Sequence, residues 1–355
     1  MMSSTLNEKK SIPSPAKPWK PTFAERAGSL SVGLLAAIAS LTVVALTPMK
    51  GLLPSFILFI IFAVAIGYAK GLIGRGSPTA KNNAVGIILG IGTLIALLPI
   101  ASILHTVISR GYKGIHWGLW TNDMSQATAI DPITNGGLLH AIVGTMIMVL
   151  IALVISLPLG ILTAVYLTEI KGGFARPIKF LVQAMSGVPS IVAGLFIMSA
   201  VVYPITKSFT GLMGALALSI LMIPTIARTA EEVLLLIPND LREAGVALGG
   251  TQWRTVAMVV IPAARCGLIT AMILGIARVA GETAPILLLT GGGDSLNFNP
   301  TAGPMGSLPF YVWKSFFFGT EEATTRGWAG LLVLLSLVLL LFFVARTLSS
   351  RKVRR

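Results

Sequence analysis

Eight stretches of this chain are long and apolar enough to cross a bilayer, and no other sequence feature constrains its fold as much. A helix of about 20 apolar residues spans the hydrocarbon layer. Ser29–Thr47, Leu52–Ala69, Ala84–Ile108, Leu138–Leu167, Phe180–Tyr203, Leu212–Ile226, Cys266–Leu289 and Trp328–Ala345 pass that test. The sixth is the shortest and is expected to be tilted or partly re-entrant. The fourth is long, and Pro158 is expected to kink it. Composition agrees: 11% of the residues are charged, against roughly 25% in soluble domains. The expected class is therefore all-α and polytopic.

Lys and Arg set the orientation, because they accumulate in cytoplasmic segments. With the N-terminus inside, 20 of the 27 basic residues fall on the inner segments 1–28, 70–83, 169–179, 227–265 and 346–355. Only six (Lys50, Arg110, Lys113, Lys207, Lys314 and Arg326) fall outside, and Arg278 is left within a span. Both termini are then cytoplasmic, and so is the polar stretch 227–265. The net charge of +14 is read as loop and headgroup charge, not as a nucleic-acid surface, because it flanks spans and forms no single face.

The expected organisation follows. Residues 1–28 are polar and Pro-rich and read as a cytoplasmic tail, not a signal peptide. Residues 29–69 form an additional transmembrane hairpin turned by Pro48-Met49-Lys50-Gly51. Residues 84–347 form the main transmembrane domain with its cytoplasmic loop 227–265, and 348–355 form a basic tail. Two outer loops are long. One is 109–137, with Trp117, Trp120, Asp123 and Asp131. The other is 290–327, whose aromatic run around Phe310–Phe318 suits an interfacial belt or a short helix on the outer face. His140 reads as an ordinary residue at a span edge. One cysteine, Cys266, allows no internal disulfide. His105, His116 and His140 have no metal-type spacing, and neither metal nor cofactor is expected.

The cytoplasmic stretch Leu241–Pro262 is polar and ordered-looking between apolar spans. Pro238-Asn239-Asp240 reads as a turn, with Asp240 as the cap of a short helix that Gly249-Gly250 ends. Thr251 caps a second helix, which Pro262 closes. Ala244, Gly245 and Ala247 are small enough to let a partner's backbone approach. The stretch is either a knob for a partner or a helix lying on the membrane. No GxxxxGK[ST] phosphate loop occurs anywhere, and no catalytic grouping of Ser, His, Asp or Cys reaches the cytoplasmic face, so no enzyme site is expected.

Within the seventh span, Arg278 and Glu282 are four residues apart and share a helix face. A charge near mid-membrane is costly and normally lines a bundle interior or an aqueous path. The guanidinium fork of Arg278 suits an oxyanion, with Glu282 holding it between transport events. A structural ion pair is the other reading. Arg228, where the sixth span meets the cytoplasm, is either the lower end of that path or a boundary residue paired with Glu231 or Glu232. Ser190 follows Pro189, which breaks the fifth span and frees backbone groups for a cavity.

Glu243-Ala244-Gly245, three residues, Gly249, nine residues, then Val259-Val260-Ile261-Pro262 resembles the EAA loop of ABC-importer permeases. Gly245, Val259 and Ile261 depart from that pattern by small or apolar exchanges. Gly187–Gly194, Pro224–Glu232 and Ala277–Pro285 narrow the likeness to the PstA-type permeases of phosphate importers, over residues 84–355. The resemblance implies a type I importer core of six transmembrane helices, to which 29–69 is an addition. It implies Glu243, Ala244, Gly245, Gly249 and Pro262 as ATPase-coupling positions. It implies a second homologous permease, two cytoplasmic ATP-binding subunits, an extracytoplasmic phosphate-binding protein, and an inner-membrane location with no ATPase site on this chain. Transport would run by alternating access. The alternatives are a permease for sulfate or molybdate, an ion-coupled secondary carrier using Arg278 and Glu282 as a relay, and a scaffold without transport.

Overall fold

The computed structural model describes residues 23–48 and 51–350. Residues 1–22 of the expected N-terminal tail and 351–355 of the expected C-terminal tail lie outside them. The regular structure of the described residues is helical apart from one isolated bridge, Gly291 to Met305. The chain is an all-α polytopic membrane protein. Seven of its described helices are long and apolar enough to span a bilayer, or eight if one bent pair counts as a single span.

Two compact units divide between Ile103 and Leu104. In the first, α1 (Phe23–Leu46) and α2 (Leu52–Arg75) pack as a hairpin, followed by α3 (Ser77–Gly111), which crosses the division. Lys70 Nζ donates to the Gly28 carbonyl at 2.5 Å and ties the open end of the hairpin. Apolar side chains such as Leu34, Leu53, Ile61 and Leu89 point outward, as expected of helices whose solvent is lipid.

In the second unit, short α4 (Gly118–Thr121) precedes α5 (Leu139–Val165), which ends in a π-turn over Tyr166–Ile170. Next come α6 (Ala175–Ser186), α7 (Ser190–Ile197) with a π-helical extension to Thr206, and α8 (Gly211–Leu235). The polar corner holds α9 (Asn239–Ala247) and α10 (Gln252–Thr255). Beyond it lie α11 (Ile261–Val279), α12 (Ala284–Leu289), α13 (Leu308–Phe318) and α14 (Glu321–Ser350).

Helix α8 is the axis of this unit, with two thirds of its span window buried. Leu218, Met222 and Ile226 pack with Met148 of α5 and Ile276 and Val279 of α11. Apolar contact with lipid does not itself drive such packing, so small residues allow close approach. Gly160 of α5 illustrates this: a Cβ there would lie 2.7 Å from Ile226 Cγ2. A buried bond from Ser156 Oγ to the Ser219 carbonyl (3.3 Å) also joins α5 to α8.

Three sequence expectations need correction, and one expected break is borne out. The sixth span is not short, because α8 continues through Arg228, Glu231 and Glu232 for 25 residues; helix length follows backbone bonding and packing, not where apolarity stops. The fifth span breaks as expected, at Gly187-Val188-Pro189, between two helices bent by 107°. Pro189 has no N–H to donate and biases Val188 away from the helical region. The seventh span breaks after Val279 and resumes at Ala284, so Glu282 lies in a turn outside the helix. His140 is not at an exposed edge. It is 2% exposed, lies edge-on to Tyr311 with ring centroids 5.9 Å apart, and its Nδ1 has no partner.

The two long loops knit together. Met124 N–H donates to the Asp294 carbonyl (2.9 Å), and Leu296 N–H donates to Asp123 Oδ2 (3.0 Å). Buried Arg326 donates to the carbonyls of Thr128, Pro132 and Asn135 at 2.7–2.8 Å. The aromatic run forms α13, with Tyr311 turned inward and Phe317 outward.

Candidate functional site

Two groups of residues carry the chemistry: the polar corner α9–α10 and the charged break after α11.

Pro238, extended at ψ 142°, starts α9, so the helix opens at Asn239. Asp240 therefore sits in the first turn, where it complements the helix dipole, and does not cap it. The C-terminus closes as expected. Gly249 adopts φ +82°, a backbone region open to glycine at little cost. Gly250 N–H then reaches the Gly245 carbonyl (3.2 Å), and Gly249 N–H reaches Val246 (2.9 Å). This paired closure is a Schellman motif. Thr251 Oγ1 accepts from Arg254 N–H at 3.4 Å and caps α10.

Pro262 does not end this second helix. Helical backbone runs on from Gln252 to Val279, with a π-turn over Val256–Val260 just ahead of the proline. Pro262 has no N–H to donate to the preceding turn, and it follows directly on the wider winding of that π-turn, in which Ile261 N–H bonds the Val256 carbonyl. Gly245 also has a different role from the one expected. A Cβ there would come within 2.5 Å of Thr255 Cγ2, so its smallness serves the chain's own α9–α10 contact. Glu243 and Ala244 are exposed, and no residue of α9 is buried. Leu236, Leu248, Trp253 and Met258 surround it as exposed apolar side chains.

One element of the corner was not foreseen from sequence. Arg242 Nε and Nη2 grip the Glu169 carboxylate, with bonds of 2.8–3.1 Å. Its Nη1 donates to the Ile237 carbonyl (2.6 Å) and Asn239 Oδ1 (3.2 Å), and Nη2 also donates to Leu234 (2.9 Å). Gln252 Nε2 adds a 2.6 Å bond to the Glu169 carbonyl. Hydrogen bonding to Glu169 holds the Arg242 pKa above its usual value. A trace was available in the sequence: Glu169 is the lone acid where the apolar run 138–167 turns polar, and Arg242 immediately precedes Glu243.

Arg278 occupies the last turn of α11 and pairs with Glu282. The pair forms because the turn folds back, with Glu282 N–H on the Val279 carbonyl at 3.1 Å. Neighbouring Ile276 and Val279 pack with Met222 and Ile226, so Arg278 stands level with the middle of α8. The Arg278 side chain is 46% exposed and that of Glu282 13%; the guanidinium faces out of this chain at half-height. Ser190, half-buried, is the first residue of α7, directly after its N-cap Pro189. Helix α7 packs on α12, just past the charged break. Arg228 is exposed on α8. Glu231, one of its two expected partners, pairs instead with Lys179 of α6 at 2.8 Å. Among the described residues, no group of His, Cys, Asp and Glu is arranged to hold a metal.

These features define a class: a multi-pass helical membrane chain with a closed polar corner at one end and a charged break at mid-depth. A family model described as "Binding-protein-dependent transport system inner membrane component" matches residues 156–354, which take in both groups. The "Phosphate transport system permease protein PstA" of Mycobacterium leprae (strain TN) is 37% identical over 260 residues, covering 73% of this chain and 85% of that protein. The Yersinia pestis protein of the same name is 34% identical over 275 residues, covering 77% and 91%. A solved chain of the inward-facing MetNI methionine ABC transporter aligns at 24% identity with a TM-score of 0.47, covering 62% of this chain and 95% of that one. The chain belongs to the binding-protein-dependent transport system inner membrane components, and among them to the PstA-type permeases.

Proposed function

We propose that this chain is the transmembrane permease of an ATP-driven phosphate importer and forms half of the translocation path. The charged break carries this reading. Arg278 presents a guanidinium at mid-depth, out of its own chain, with Glu282 as its resting partner. A planar fork of donors suits a tetrahedral oxyanion. An arriving phosphate displaces Glu282 from the guanidinium, and the pair re-forms on release. The names of the relatives in M. leprae and Y. pestis agree with phosphate as cargo. Ser190, at the start of α7, and Arg228, further along α8, are further path residues.

A second homologous permease completes the path. One of two cytoplasmic ATP-binding subunits docks on the exposed surface of α9, with Glu243, Ala244 and Gly245 in the contact helix, Gly249 at the turn that closes it and Pro262 behind it; the other docks on the matching helix of the second permease. An extracytoplasmic phosphate-binding protein delivers cargo to the knitted outer loops. Both termini are cytoplasmic, residues 29–69 form a hairpin added to the core 84–347, and 1–28 and 348–355 are tails. Closure of the ATP-binding subunits pushes α9, tilts α8 and α11, and opens the path outward; hydrolysis resets it.

The test is uptake of labelled phosphate into cells depleted of other phosphate importers, with this chain and its partner subunits supplied. Restored, ATP-dependent phosphate uptake is expected. Restored molybdate or sulfate uptake without phosphate would overturn the substrate.

A further inference from the structure

We infer that Glu169 and Arg242 form the lock that turns a push on α9 into movement of α5 and α8; this rests on the coupling reading above.

The geometry is that of a rigid joint. Glu169 lies in the π-turn that ends α5, and its side chain is only 6% exposed. Arg242 lies one turn into α9. An arginine carries five N–H donors in a fixed plane. Here they are divided among the Glu169 carboxylate, the Asn239 side chain and the carbonyls of Leu234 and Ile237. At the end of α8 the Leu234 carbonyl, which already accepts from the Ile237 N–H (3.3 Å), takes a further, charge-assisted bond from Arg242 Nη2 (2.9 Å). One side chain of α9 thus holds the ends of both α5 and α8.

Glu169 is itself held twice. Its carboxylate binds α9 through Arg242, and its carbonyl binds α10 through Gln252. The backbone behind it is pinned too, because Lys171 turns at φ 52° and donates to the Tyr166 carbonyl (3.0 Å). By contrast, Glu243 and Ala244 on the same helix are exposed. Helix α9 therefore has an open surface for a partner and a bonded root. The bonds are directional and charge-assisted. A displaced α9 carries α5 and α8 with it while they hold, and swings alone when they do not.

Lysine at position 242 would keep the charge but offers three donors on a flexible stem, too few for this set. Arg242→Lys and Glu169→Gln therefore separate the lock from simple charge. Glu169→Asp keeps the carboxylate on a shorter stem and should rescue in part.

The complete importer, with its ATP-binding subunits, second permease and binding protein, is reconstituted in proteoliposomes, and phosphate taken up per ATP hydrolysed is measured. Arg242→Lys and Glu169→Gln are expected to retain the ATP-binding subunits at wild-type stoichiometry while uptake per ATP falls by about tenfold, equivalent to ~1.4 kcal/mol of coupling. Glu169→Asp should fall between them and wild type. An unchanged ratio in both variants would overturn the lock. So would loss of the ATP-binding subunits from both, since the pair would then shape the docking surface and not transmit its motion. If Glu169→Gln does not accumulate in the membrane, Arg242→Lys decides alone by the same ratio. A wild-type complex that hydrolyses ATP but carries molybdate instead of phosphate refutes the substrate; the ratio measured with molybdate still decides the lock.

Discussion

Replacing Gly245 by alanine tests the geometry of the polar corner, and the sign of the effect depends on one neighbour. The new Cβ would lie 2.5 Å from Thr255 Cγ2 and 3.0 Å from Thr255 Oγ1. Carbon atoms prefer about 3.5–4.0 Å. Thr255 is buried at 5% exposure, and its branched Cβ restricts rotation. Overpacking of this kind costs about 1–3 kcal/mol. Against it stands the helical gain of alanine over glycine, about 0.5–1 kcal/mol. The net expectation is a loss of up to roughly 2 kcal/mol in the α9–α10 corner. In a Thr255→Ala background the two shortest contacts are gone and only the Cβ at 3.3 Å remains, so Gly245→Ala should cost far less there and can stabilise by up to about 0.5–1 kcal/mol. The two positions then couple by at least about 1 kcal/mol in a double-mutant cycle. Hydrogen exchange of the α9 amides in the purified chain reads the opening free energy of this segment directly. Equal stabilisation by Gly245→Ala in both backgrounds would refute the reasoning, because Thr255 would then not be what excludes a side chain at 245.

Glu243→Lys should abolish phosphate uptake with the chain still inserted; co-purification of the ATP-binding subunits at wild-type levels would remove Glu243 from the contact. Arg278→Gln should lower transport while the complex still assembles, and full uptake would leave Arg278–Glu282 as a structural pair only. Asp123→Asn should loosen the joint between the outer loops, seen as faster exchange of the Leu296 amide. The bond from the Ser125 hydroxyl, joined by those from the Leu296 and Ser125 amides, holds the Asp123 carboxyl below its ordinary pKa. The contribution is therefore fully present above the ordinary aspartate value and is lost as pH falls through the lower folded one. Exchange at Leu296 that already quickens in wild type on mild acidification, above the ordinary aspartate range, would contradict that.

The sequence carried whatever depends on composition and near neighbours. Apolar runs mark most of the spans, because lipid demands a minimum length of unbroken apolar helix. The limits of α9 follow from Pro238 ahead of it and Gly249-Gly250 behind it, since proline and glycine act on the backbone within a turn or two. Motif spacing located Glu243 on an exposed helix and Gly249 at the turn that closes it, and four-residue spacing paired Arg278 with Glu282. The pair survived although the helix beneath it did not: the break at 280–283 brings Glu282 back by a turn, not by helical pitch.

Contacts between distant segments stayed out of reach. Glu169 and Arg242 are 73 residues apart, and nothing local to either names the other. The smallness of Gly245 suggested an approaching partner, but the neighbour that needs the space is Thr255 of the same chain. Pro262 reads as a stop, yet with a π-turn directly ahead of it the helix passes through. His140 looked like an edge residue until α13 folded over it. By itself, then, the sequence determined which segments live in lipid and where the polar corner begins and ends, because solvation and backbone freedom act residue by residue. Tertiary packing alone decided how that corner is fastened and which way each charged side chain faces, because those depend on groups that only folding brings within hydrogen-bonding distance.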